Sequence, residues 1–204
     1  MPPLKFFSCS TLVIGSICLA SLFSNDLKAV EFEVTPLVGH NFSPDLANSD
    51  NSNTLSTTNE PNLGLALSWK DSPKGQGQLL VNYISRDFNS ETSQSTLSFD
   101  TIYTHFSGIS FFKERYYITT FGIGIGTTYF NSDFDSAIYP SFTAAIGTRY
   151  EFSDNLAFIT ELRTYATLTD DDDTLFCESD TCHAQFDGAI WIDGQFSIGL
   201  SYSF

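Results

Sequence analysis

Positive charge is what the chain has least of: Lys and Arg number 9 against 24 Asp and Glu in 204 residues, a formal net charge of −15. Nucleic-acid surfaces need clustered Lys and Arg against the phosphate backbone, so this balance excludes nucleic acid as a partner. Long hydrophobic runs are missing too. Outside the N-terminus no 18 consecutive apolar residues occur, which excludes spanning helices but not spanning strands, whose lipid-facing residues are hidden in alternation. Cysteine is limited to 4 residues, and Cys9 and Cys18 lie in the first 29. Glycine forms no phosphate loop: Gly122, Gly124 and Gly126 alternate within a strand-like segment with no helix after them, so they are expected to leave room inside a barrel for bulky Arg and Tyr residues. No cofactor motif is present, and none is expected.

The N-terminus, MPPLKFFSCSTLVIGSICLASLFSNDLKA, carries Lys5, an apolar stretch from Thr11 to Phe23 and a small-residue exit. That is a secretory signal peptide of residues 1–29, cut after Ala29 with Ala20 as the second site; its apolar core is too short to span a membrane. Removing Lys5, Asp26 and Lys28 leaves 7 basic and 23 acidic residues, a net charge of −16. Cys177 and Cys182 remain, and in an oxidising compartment they are expected to form one disulfide.

Residues 30–204 read as a single all-β domain. From Gln195 onward one set of alternate positions is Phe196, Ile198, Leu200, Tyr202 and Phe204, the other Gln195, Ser197, Gly199, Ser201 and Ser203. This is a period-two strand with one apolar face. Seven more follow the same rule, and the eight are expected at Glu31–Phe42, Asn62–Lys70, Gly77–Phe88, Leu97–Phe112, Tyr116–Phe130, Ile138–Phe152, Leu156–Thr169 and Gly188–Phe204. The connections at 43–61, 89–96, 131–137 and 170–187 are long, whereas those at 71–76, 113–115 and 153–155 are tight turns. Long loops on one rim and short turns on the other predict an eight-stranded antiparallel up-and-down transmembrane β-barrel, turns toward the periplasm.

Leu63, Leu65, Leu67, Trp69, Phe121, Ile123, Ile125, Leu156, Phe158 and Leu162 join the last-strand set as the lipid-facing belt. On the inward face fall Glu33, Arg86, Arg149, Glu151, Glu161, Arg163, Tyr165 and Asp193, with Tyr103 and His105 beside them. Charges facing hydrocarbon would cost several kcal/mol, so these are expected to pair inside, Glu161 and Arg163 with Arg149 and Glu151 of the neighbouring strand. Eight strands enclose only enough space for their own side chains, which predicts a filled interior; a rearranging ion-pair gate for small solutes is the alternative.

Four stretches carry a resemblance: Phe32-Glu33-Val34-Thr35-Pro36-Leu37-Val38-Gly39, Leu162-Arg163-Thr164-Tyr165-Ala166-Thr167-Leu168, the Cys177 to Cys182 loop, and the final strand ending in Phe204. On these the chain resembles the small eight-stranded outer-membrane proteins of the OmpA/OmpX type, and a family of uncharacterised proteobacterial outer-membrane β-barrel proteins. The resemblance implies a monomer in the bacterial outer membrane, surrounded by lipid and lipopolysaccharide. It also implies that Tyr202 and Phe204 form the terminal signal read by the barrel-assembly machinery. No catalytic residue comes with it.

Two constellations have chemical alternatives. The last long loop, TDDDDTLFCESDTCHAQFD, gathers Asp170 to Asp173, Glu178, Asp180 and Asp187 beside His183; without the alternation and glycine of a Ca²⁺ loop, it predicts only weak divalent-cation attraction and no metal centre. His105 and Ser107 are two apart on one strand, as a lipid A deacylase would need, but no Glu stands at that height on the adjoining strands. The expectation is therefore no enzyme, and a structural or surface-interaction role.

Overall fold

The computed structural model of the protein describes residues 31–43, 46–47, 54–55, 59–90, 95–169, 177–178, 181–182, 186 and 188–204. Eight long strands form one closed sheet: β1 (Phe32–Phe42), β2 (Pro61–Ser72), β3 (Gly75–Ser90), β4 (Ser95–Lys113), β5 (Ile118–Ser132), β6 (Ser136–Glu151), β7 (Leu156–Leu168) and β8 (Ile190–Ser203). Each pairs antiparallel with its chain neighbours, and β1 closes on β8 with Glu33 opposite Ser203 and Phe42 opposite Gly194. Two short ribbons, Leu46–Ala47 with Thr54–Leu55 and Cys177–Glu178 with Thr181–Cys182, belong to the first and last outer connections. The expected signal segment lies outside the described residues.

Strand number, order and faces are as the alternation predicts, but two outer connections are not. The β3–β4 ladder continues to Ser90 opposite Ser95, and the β5–β6 ladder to Asn131 opposite Ser136. Half of the expected loop at 89–96 and four of the seven residues at 131–137 are therefore strand. Ser, Thr and Asn at these hairpin ends look like turn formers by composition, yet an established antiparallel register keeps satisfying backbone groups beyond the apolar belt.

Outside, the barrel is apolar. Leu63, Ile123 and Ile125 are 62%, 61% and 65% exposed, and the last-strand set from Phe196 to Phe204 is exposed throughout. A soluble protein does not leave so continuous an apolar surface in water; a bilayer covers it. Aromatics crowd the turn end, where Phe32 stacks on Phe204 at 6.4 Å and Tyr150 meets Phe152 edge-on at 5.3 Å.

Two local devices shape the wall. Pro36 has no N–H to donate, and the β1–β8 ladder skips Thr35 and Pro36, resuming with Leu37 opposite Gly199, while the β1–β2 ladder runs through without a break. On β5, a Cβ at Gly124 would stand 2.2 Å from Ser107 Oγ, and one at Gly126 would stand 2.7 Å from His105 Cα. These glycines make room for the inward side chains of the adjacent strand β4, rather than for the Arg and Tyr residues expected from the sequence.

Candidate functional site

The period-two rule sends every second residue into the lumen, and there the polar side chains assemble in tiers. Nearest the outer rim, Asp193 of β8 and Arg86 of β3 form an ion pair at 2.8 Å with both side chains fully buried. The same Asp193 Oδ2 accepts from Trp191 Nε1 at 2.9 Å and from the Tyr103 hydroxyl. Arg86 Nη1 donates to Thr101 Oγ1 at 2.8 Å and Nη2 also to Asn41 Oδ1 at 3.0 Å, with the guanidinium 5.6 Å from the Phe99 ring centre. Around Phe99 an apolar cluster of Leu46, Phe130, Tyr139, Phe186 and Trp191 is buried, so residues of two outer connections help fill this end.

The middle tier is aromatic and amide-rich. Tyr103 and Tyr165 stack at 3.9 Å with planes 6° apart, and His105 packs 5.3 Å from Tyr165. His105 Nε2 is 2.8 Å from Ser141 Oγ. On the facing wall Asn62 donates to Asn82 at 2.8 Å, Asn82 to Gln195 at 2.7 Å, and Gln195 to Ser197 at 2.6 Å.

Toward the turns, Arg163 grips Glu161 with two bonds of 2.7 and 2.9 Å and also donates to Gln78 and Thr143. Two residues apart on one strand, the pair shares a face, and the bidentate fork fixes its geometry. Below it Arg149 reaches Glu33 at 2.7 Å, and Ser203 donates to the same carboxylate at 3.2 Å.

Of the eight residues expected inside, Glu33, Arg86, Arg149, Glu161, Arg163, Tyr165 and Asp193 turn into the lumen, but not as one network. The expected union of Glu161 and Arg163 with Arg149 and Glu151 is not made. In the β6–β7 register Glu161 and Arg163 stand opposite Gly147 and Ala145, while Arg149 and Glu151 stand opposite Ile159 and Ala157, nearer the turns. Arg149 therefore pairs across the mouth with Glu33, and Glu151, with its side chain half exposed, is a rim residue 3.5 Å from Arg149 rather than an interior one. Gln78, Asn82 and Asn62 also fill the lumen and were not singled out from the sequence, whereas Gln195 lies on the polar face already read in the last strand. His105 and Ser107 are both inward and buried, and the His105 partner is Ser141. The terminal pair Tyr202 and Phe204 is exposed at the turn end, 57% and 66%. The acidic run at 170–173 lies outside the described residues, and no group of three or more potential metal ligands occurs among the described ones.

No family model matches the chain, and no curated protein matches it in sequence. Solved structures do. Neisserial surface protein A (NspA) superposes with a TM-score of 0.59 at 11% identity, over 85% of this chain and 97% of that one. The outer membrane protein AlkL, determined in DMPC lipid bilayers, gives 0.52 at 14% identity over 85% and 90%. The E. coli Outer Membrane Protein W gives 0.50 at 13% identity over 86% and 98%. At these identities the likeness is one of fold, and the fold is that of small bacterial outer-membrane β-barrels.

Proposed function

We propose that this outer-membrane barrel is a closed, non-catalytic element with a structural or surface-interaction role, holding acidic segments at the cell exterior. The observation that carries the reading is the filled lumen: Arg86 with Asp193, Tyr103 on Tyr165, and Arg163 with Gln78 stand across it in successive tiers. An eight-stranded cross-section has no space left for a water column once such side chains interlock. The burial of His105 and Ser107 supports the absence of acyl transfer, because a nucleophile and its base must reach the lipid they act on. The partners of this reading are bilayer lipid, outer-leaflet lipopolysaccharide and the assembly machinery that engages Tyr202 and Phe204, and the barrel acts as a monomer. The acidic run at 170–173 attracts divalent cations weakly.

Planar-bilayer recording tests it. The purified protein is expected to give no discrete conductance steps at loads where control porins conduct; reproducible unitary steps would replace this reading with the solute-channel one.

A further inference from the structure

Among the described residues, solvent-facing positive charge is confined to one end of the barrel. Of the seven Lys and Arg after residue 29, Arg86 and Arg163 are buried, and the other five, Lys70, Lys74, Lys113, Arg115 and Arg149, all lie at the turn end. Four of those five line a cup of about 490 Å³ sunk into that end of the lumen. The volume falls within the range of about 300–1,000 Å³ typical of small-molecule sites.

The cup is dipolar. Lys70, Lys74 and Lys113, from the end of β2, the β2–β3 turn and the end of β4, stand on one side and Glu151 and Asp154 across the mouth, while Glu31, Glu33 and Arg149 complete the charged lining. Some of these charges satisfy one another: Lys70 pairs with Glu31 at 2.9 Å, and Arg149 joins Glu33 and Glu151. Lys74, Lys113 and Asp154 form no ion pair among the described residues, and the buried Glu33 Oε1 has no hydrogen-bond partner there either. Two ammonium groups on one side and the Asp154 carboxylate on the other are thus left for something else.

The walls are also held in place before any ligand arrives. The Lys74 carbonyl accepts from Phe111 N at 2.8 Å, tying the first turn to β4. Asn155, next to Asp154, donates to the Ser203 carbonyl at 2.8 Å and accepts from Ser203 N at 2.9 Å, tying the third turn to β8. Such preorganisation removes part of the ordering cost of binding.

We infer that this cup is a binding site for a small zwitterion, an amino acid or short peptide with free ends, whose carboxylate sits against Lys74 and Lys113 and whose ammonium faces Asp154. In a barrel of this orientation the site opens to the periplasm. It stands apart from the closed-lumen reading, since a blind cup binds without conducting.

The test is a titration of the detergent-solubilised protein, purified from outer membranes, with glycylglycine, followed by amide chemical shifts in NMR. Saturable shifts at Lys74, Lys113 and Asp154 are expected. Both N-acetyl-glycylglycine and glycylglycine amide should bind about fivefold more weakly, the effect of one exposed charge pair. The K74Q/K113Q double variant should weaken glycylglycine while D154N weakens only ligands with a free ammonium, each variant being checked for the fast-migrating folded band. Absence of saturable shifts, or equal binding of the blocked peptides and the free one, overturns the assignment. If acetate alone matches glycylglycine, the cup is a simple anion site and the zwitterion assignment falls.

Discussion

Asp193 gives one carboxylate oxygen to three donors, on Arg86, Tyr103 and Trp191, at a point where no water-facing surface is left. Its removal leaves the Arg86 guanidinium buried without its counter-charge, and breaking such a pair costs about 3–5 kcal/mol. D193A is therefore expected to lose about that much in urea titration of the barrel in lipid vesicles, while the R86M/D193A double variant recovers part of it. Equal losses for the single and double variants would show that packing, not the uncompensated charge, governs this tier. Charges on inward positions could be recognised in the sequence because hydrocarbon excludes them from the other face. Their partners could not, because pairing across a lumen depends on register and on which residues share a height. Arg149 illustrates the limit: two positions of register carried it from the expected Glu161 to Glu33 on the opposite side of the closure.

Along β5 the outward residues Phe121, Ile123 and Ile125 stand on the lipid face, and an arginine there pays according to depth. I123R, near the middle of the strand, is expected to cost about 2–4 kcal/mol, whereas L156R at the first residue of β7 should cost about 0–1. The same urea titration reads both, and equal costs would contradict the placement of the belt. A second element-level expectation concerns the ribbon of the last outer connection, where Cys177 and Cys182 are cross-strand partners. We propose that they are joined; maleimide labelling of the folded protein should then require prior reduction, and labelling without reductant would exclude the bond. Strand faces were legible because a period of two leaves an unmistakable apolar stripe. The ends of β3, β4, β5 and β6 were not, since Ser, Thr and Asn serve a turn and a solvated hairpin alike.

At the scale of the molecule, a lipid belt around an interlocked polar core makes unfolding an all-or-none matter. Unboiled protein is expected to run faster on a denaturing gel than boiled protein, because the closed barrel resists detergent; identical mobilities would contradict closure. The distribution of charge also belongs to this scale, with the solvent-facing Lys and Arg of the described residues gathered at the turn end. The sequence by itself determined that the chain is a barrel of eight strands, which face of each strand meets lipid, and that charges within the lipid-spanning stretches avoid that face, since a strand leaves each residue only two choices of side. The tertiary structure alone decided that the lumen splits into separate ion-paired tiers, that Glu151 belongs to the rim, and that a dipolar cup opens at the turn end. Those features arise from residues far apart in the chain meeting across a closed sheet, and the register and closure that bring them together are properties of the whole ladder rather than of any local pattern.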